Sequence, residues 1–319
     1  MTSYVAAVEL DEGRIGLADD VPISVKAWRT PGSKMFIREG TTVKLLDLLK
    51  GVIIQSGNDA SVAIAEYVAG SEDAFAGMMN QHATELGLVS SNFANATGLP
   101  DESHVSTAKD MARLSRALIR RFPDHYAIYA ERDFTFSDIR QPNRNRLLWR
   151  DRTVDGVKTG HTEAAGYCLV ASALRDGMRL ISVVMGTDSD EARMRETQKL
   201  LKYGFRYFET QKVYDPANPL KSVEVYYGET ESLDLGVDEP MFLTFPRGRY
   251  EELEAEIDLP SVVEAPVAVG QQLGEIRVTL DGEVLGAAPL VAREAVAEGG
   301  VFSRMYDGVF LFFSDLVGS

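Results

Sequence analysis

Through about residue 210 the apolar positions of this chain recur mainly at helical spacing, and beyond it mainly at alternating, strand-like spacing. Residues 42–50 hold Val43, Leu45, Leu46, Leu48 and Leu49 and predict a short amphipathic helix leading into a loop at Ser56. A second helix is predicted over 59–68, stopped at Gly70. Ser71 caps a third, with Glu72 and Asp73 in the first turn, where they complement the helix dipole, and Gly87 near its end. Thr107 and Asp110 stand near capping-box spacing and open a helix that turns Met111, Leu114 and Leu118 inward until Pro123 stops it. The period then changes. Residues 166–174 and 178–185 predict two strands joined at Asp176-Gly177, a strong hairpin signal, and a long helix follows over 191–208. Helices beside a largely antiparallel sheet make an α+β domain.

Residues 212–298 lack a helical period. Short strands are predicted over 223–227, 241–245, 251–259, 275–280 and 283–290, separated by Gly, Pro and Asp turns such as Asp281-Gly282. That is a small all-β domain, expected as a β-sandwich that serves as a pedestal or an interaction surface. Residues 301–317 return to helical spacing, with Phe302, Met305, Tyr306, Val309, Phe313 and Leu316 on one face. The segment is too short and too charged to span a bilayer, which takes about 20 mostly apolar residues. It reads either as a helix lying on a membrane or as one docking on its own protein.

Composition narrows the function classes. Forty-five per cent apolar and 25% charged residues are ordinary for a globular chain, and 319 residues suffice for two domains. A net charge of −15 argues against nucleic acid as a partner and against simple adhesion to anionic lipid. Cys168 is the only cysteine, so no internal disulfide is possible; its apolar surroundings predict a buried structural thiol. His82, His104, His125 and His161 are too scattered for a metal-ligand pair, so no metal is expected.

The candidate chemistry lies in two tripeptides, Ser56-Gly57-Asn58 and Lys158-Thr159-Gly160. The first is preceded by Gly51-Val52-Ile53-Ile54-Gln55, the second by Val154-Asp155-Gly156-Val157 and followed by His161-Thr162. Asn143-Arg144-Asn145 and Leu147-Leu148-Trp149 lie just upstream of the second, and Phe245-Pro246-Arg247-Gly248-Arg249 lies far downstream. Together these resemble the serine-type D-alanyl-D-alanine carboxypeptidases among the low-molecular-mass penicillin-binding proteins, over residues 1 to about 290 and more loosely to the end. The local alternative for Ser56-Gly57-Asn58 is a helix-linking turn with Asn58 as N-cap.

The resemblance implies a penicillin-binding transpeptidase-like domain over 1–211, a small β domain over 212–298 and an amphipathic membrane-anchor helix over 299–319. It implies that Ser56 relays a proton to the departing D-Ala and that Asn58 binds substrate backbone. Lys158, Thr159 and Arg144 would hold the terminal carboxylate, and Gly160 would admit the ligand's backbone. His161 follows the motif, with catalytic and structural roles both open, and a solvated surface arginine is the alternative for Arg144. The resemblance implies no cofactor, and the implied partners are the peptidoglycan stem pentapeptide, β-lactams as inhibitors and a membrane surface through 301–317. The place of action would be the periplasmic face of a bacterial inner membrane. The family's nucleophile lies in a Ser-x-x-Lys ahead of Ser-x-Asn, and residues 1–55 contain none, nor does Met1 open a signal peptide. The expectation is therefore a chain shortened at its start and inactive as it stands, the alternative being a non-catalytic peptidoglycan-binding pseudoenzyme. Ser106-Thr107-Ala108-Lys109 fits Ser-x-x-Lys but comes after Ser56 and is expected to be only a helix start.

Overall fold

The computed structural model describes residues 1–300. The chain divides into two compact units, Met1–Phe205 and a second from Arg206 onward.

The first unit opens with α1 (Thr2–Asp11), a helix whose residues from Thr2 to Glu9 are all buried. A helix buried on every side shows no amphipathic stripe, which is why the pattern gives no sign of it. Strand β1 (Asp20–Pro22), helix α2 (Val25–Arg29) and strand β2 (Thr42–Lys44) follow. The helix predicted over 42–50 is thus half strand. Thr42, Val43 and Lys44 pair antiparallel with Pro22, Val21 and Asp20, the two valines pointing inward, and only Leu45–Lys50 forms helix, α3. The chain then makes a π turn, Gly51–Gln55, before α4 (Asn58–Ala69) and α5 (Glu72–Glu85). Ser71 caps α5 as predicted, accepting a hydrogen bond from Ala74 N at 3.1 Å. Thr107 likewise caps α6 (Ala108–Arg121), and Pro123 begins the short α7 (Pro123–Ala127). The hairpin of β3 (Asp133–Phe136) and β4 (Ile139–Pro142) and the one-turn α8 (Leu147–Arg150) lead to the sheet.

That sheet is antiparallel, in the order β5 (Val154–Thr162), β6 (Gly166–Arg175), β7 (Met178–Thr187), so β5 forms an edge. Asp176 and Gly177 both take positive φ, 47° and 80°, the geometry of a two-residue hairpin turn. Alternation along β6 turns Leu169, Ala171 and Ala173 toward Met194 and Leu201 of α9 (Asp190–Tyr207) and toward Leu147 and Leu148 of α8. Val170 points the other way, into the larger core that holds Tyr4, Leu48, Leu49, Ile53, Ile54 and Ile64. Ile53 and Ile54 are 1% and 0% exposed, and each contributes about 1.5–3 kcal/mol of burial. The π turn that carries Ser56 therefore rests on a fixed apolar base.

The second unit is all-β through residue 300, with one short 3₁₀ turn at Tyr250–Glu252. Strands β8 (Phe208–Tyr214) and β11 (Met241–Pro246) pair with each other. The remaining strands are β9 (Lys221–Tyr226), β10 (Ser232–Gly236), β12 (Glu254–Asp258), β13 (Val263–Glu264), β14 (Gln272–Leu280) and β15 (Glu283–Ala292). They form one sheet in the order β12-β14-β15-β10-β9-β13. Met241, Leu243 and Phe245 of β11 pack on Val278 and Leu280 of β14, so two sheets share this core. Strands β8, β10 and β13 are additions to the sequence reading. No helix among the described residues is long and apolar enough to cross a membrane. The proposed surface helix of 301–317 lies outside the described residues.

Candidate active site

The π turn ends at Ser56, whose backbone is left-handed at φ 61°, ψ 40°. A non-glycine residue there costs about 1–2 kcal/mol, so the surroundings have to hold it. They do so on both sides. Gly57 N donates to Gly51 O at 2.9 Å, and Asn58 N donates to Ser33 O at 2.8 Å. A Cβ on Gly57 would lie 2.9 Å from Asp59 Oδ1 and 3.2 Å from Met35 N, so close approach requires a glycine between Ser56 and Asn58. Asn58 is the first residue of α4 and Gly57 its cap, so the N-cap alternative for Asn58 does not hold. The Asn58 amide instead donates from Nδ2 to Pro31 O at 2.8 Å.

Ser56 and Lys158 are 102 positions apart and meet: Lys158 Nζ donates to Ser56 Oγ, and also to Thr159 O at 3.0 Å. Burial pushes the Lys158 ammonium down to about 7 from the usual lysine range, and the neighbouring Arg144 and Arg193 push in the same direction. Arg144 is exposed and forms no side-chain hydrogen bond or ion pair among the described residues; its backbone N–H is tied to Ile54 O at 3.2 Å. Its guanidinium is also shifted downward, by partial desolvation first and Arg193 second. Ser56, Asn58, Arg144, Lys158, Thr159 and Gly160 line one cleft of about 560 Å³.

Gly160 has no positive φ, and a Cβ there would meet only Cys168 Cβ at an ordinary 3.8 Å. Nothing in the fold requires glycine at that position, whereas a ligand strand laid along the edge would. His161 also lines the cleft; it lies across from Tyr167 in the ladder and packs on its ring, centroids 4.0 Å apart. Cys168 departs from expectation: it is half-buried, lines the cleft, and its Sγ lies 3.4 Å from Ala165 O. The end of β6 opposite Gly160 is open to the cleft, so an apolar local sequence did not bury the thiol. Ser106 bonds Ser91 Oγ at 2.8 Å and does not line the cleft, in keeping with a helix start.

Two residues of the site escaped the sequence. Arg193 of α9 is 7% exposed and donates from Nη1 to Gly160 O at 2.9 Å and to Cys168 O at 3.2 Å, while Nη2 engages Asp190. A buried cation thereby holds the edge strand in place. Asp59, 0% exposed, accepts from Met35 N, Phe36 N and Ala60 N within 3.0 Å and from Ile37 N at 3.3 Å. The only sequence sign of either is an ionisable residue at an inward position of a helix.

Residues 1–189 match the family model of the S11 peptidases, D-alanyl-D-alanine carboxypeptidase, and residues 208–298 match that of the penicillin-binding protein 5 C-terminal domain. D-alanyl-D-alanine carboxypeptidase DacC of Escherichia coli is 45% identical, covering 100% of this chain and 82% of the relative. The corresponding DacF of Bacillus subtilis is 37% identical, over 94% of this chain and 78% of the relative. Among solved structures, penicillin-binding protein 5 of Haemophilus influenzae aligns with a TM-score of 0.83 at 44% identity, covering 93% of this chain and 88% of that one.

Proposed function

Since the chain belongs to the S11 family of D-alanyl-D-alanine carboxypeptidases, we propose that its cleft serves removal of the terminal D-Ala from peptidoglycan pentapeptides through an acyl-serine intermediate. The observation that carries this reading is the contact of Ser56 with Lys158 of the edge strand, beside an arginine, Arg144, that has no anionic partner among the described residues. An extended peptide pairs with β5 as an added strand. Its terminal carboxylate lies toward Lys158, Thr159 and Arg144. The nucleophilic serine passes its hydroxyl proton to the lysine of its own Ser-x-x-Lys and forms an ester with the penultimate D-Ala carbonyl carbon, and the C–N bond to the last residue breaks. Ser56 gives its proton to the departing amine and regains one from Lys158, whose pKa near 7 suits transfer in either direction. Water then hydrolyses the ester, and its protons restore the serine hydroxyl and, through Ser56, the ammonium of Lys158. β-Lactams present a carboxylate and a reactive amide to the same groups, and penicillin-binding protein D2 of Listeria monocytogenes has been solved with cefotaxime and with ampicillin.

The nucleophile decides the test. Residues 1–55 hold no Ser-x-x-Lys, so a polypeptide of residues 1–319 alone is expected to form no covalent adduct with fluorescent penicillin. The same polypeptide with a Ser-x-x-Lys turn joined ahead of Met1 is expected to retain label through denaturing electrophoresis. Label on the first species would overturn the role given to Ser56, and no label on the second would favour a non-catalytic peptidoglycan-binding protein.

The membrane contact rests on the sequence of 301–317 alone. Half a dozen large apolar side chains on one helix face favour interfacial burial at about 1.5–3 kcal/mol each when complete, while repulsion from the chain's net −15 is screened beyond about 10 Å. Co-sedimentation with neutral liposomes is expected to be insensitive to salt and to vanish when residues after Gly300 are deleted. A deletion variant that pellets like the full chain removes the membrane from this reading, and with it the proposed periplasmic face of the inner membrane.

A further inference from the structure

Beside the cleft lies a second groove of about 780 Å³, and the two share Arg144 and Arg193. Four guanidinium groups line it (Arg144, Arg146, Arg150 and Arg193) against a single carboxylate, Asp190. Asp190 is already divided between Arg146, at 3.3 Å, and Arg193. Arg150 is held in a two-bond pair with Glu191, at 2.6 and 2.9 Å. Arg144 has no anionic partner among the described residues. Counting Glu191, four positive charges face two negative ones, on a chain whose net charge is −15. One wall is the indole of Trp149, 44% exposed on α8. The groove therefore has an uncompensated positive field and a flat apolar surface, the two features that suit an anion carried on a short methylene stem.

Where the groove begins matters. It starts at Arg144, the arginine assigned above to the terminal carboxylate, so whatever projects from the last residue of a bound peptide has this groove beside it. We propose that the groove is a side-chain subsite for that last residue, and that it takes a D-amino acid with an acidic side chain in place of the methyl group of D-Ala. The inference rests on the carboxylate-binding role of Lys158 and Arg144 and extends it from the peptide's main chain to its terminal side chain.

Titration calorimetry on the 1–319 polypeptide separates the two ideas without turnover. The probes are N-acetylated tripeptides ending in D-Ala-D-Ala, D-Ala-D-Glu and the uncharged D-Ala-D-Gln, at pH 7. The D-Glu peptide is expected to bind about fivefold more tightly than the other two, the size of one favourable exposed ion pair. The preference is expected to shrink in high salt and to disappear in Arg146→Gln, whose native side chain is 60% exposed and whose loss leaves the fold and D-Ala-D-Ala binding unchanged. Equal affinity for the three peptides, or a preference that survives the double variant Arg146→Gln/Arg150→Gln, overturns the subsite. Lys158→Gln provides the other arm. If it weakens all three peptides, the carboxylate reading stands whatever the groove does. If it weakens none, or if no peptide binds, that reading fails and the subsite fails with it.

Discussion

Alanine in place of Asp59 is expected to lower the unfolding free energy of the first unit by about 3–5 kcal/mol. The carboxylate is wholly buried and accepts from Met35, Phe36, Ile37 and Ala60, all backbone N–H groups. Each buried donor left without an acceptor costs about 1–3 kcal/mol. Relief from burying a charge offsets part of that sum, and water entering the space offsets more. The offset is limited because Asp59 sits in the first turn of α4, where the helix dipole already favours an anion. Asp59→Asn is expected to lose about half as much, since one oxygen remains and an amide N–H₂ is turned on donors. The damage reaches the site. The segment that Asp59 holds continues into Ser33 O and Pro31 O, the two acceptors that fix Asn58. Denaturant unfolding followed through the first unit's transition measures the effect; a loss below about 1 kcal/mol would mean the four bonds are not what holds residues 31–37.

The sequence disclosed some parts of this molecule and hid others for identifiable reasons. Helix α6 was legible because Met111, Leu114 and Leu118 repeat at helical spacing and Thr107 caps it with its own side chain. The β6–β7 hairpin was legible because Asp176-Gly177 is a turn that both neighbours can only flank as strands. Helix α1 was hidden by burial on all sides, and residues 42–44 were misassigned because three residues of alternation cannot be told from a helix start. The same division runs through the site. Ser56 and Lys158 stand in recognisable tripeptides, so their meeting in one cleft was what the family resemblance implied. Asp59 and Arg193 act almost entirely on backbone atoms of distant segments, residues 35–37 in one case and 160 and 168 in the other. A backbone donor or acceptor leaves no residue-type signature, so no pattern of side chains points to either. Cys168 was misplaced because local hydropathy reports an apolar run and not which end of a strand stops short of its cover.

Replacing Lys158 with methionine is expected to move binding and stability in opposite directions. At pH 6 the native side chain is largely an ammonium, because its pKa is about 7. Carboxylate-bearing ligands should then bind about 100-fold less tightly to Lys158→Met, the loss of one partly buried charge-assisted contact. As pH rises through 7 the free site loses that proton, whereas a bound carboxylate favours keeping it. Affinity of the native protein therefore falls with pH, by up to about tenfold per unit between the free and bound pKa values, and the variant's affinity stays flat. Stability follows the opposite sign. Lys158 titrates at about 7 in the folded protein and in the ordinary lysine range once unfolded, so between those values the unfolded chain holds more protons and stability rises with pH. Below pH 7 the folded state carries the full penalty of a buried ammonium beside Arg144 and Arg193, and methionine, similar in length and uncharged, removes it. The variant should thus gain most in stability at pH 6, where it loses most in binding. Peptide titrations and denaturant curves at pH 6 and pH 9, on a polypeptide carrying a Ser-x-x-Lys turn ahead of Met1 and on residues 1–319 alone, check both signs. In the first of these, Ser56→Ala should slow acylation by penicillin without the pH-dependent gain in stability, since it removes a hydroxyl and no charge. If Lys158→Met lowers affinity equally at both pH values, the ammonium is not the group that meets the carboxylate, and Arg144 and Thr159 are left to hold it.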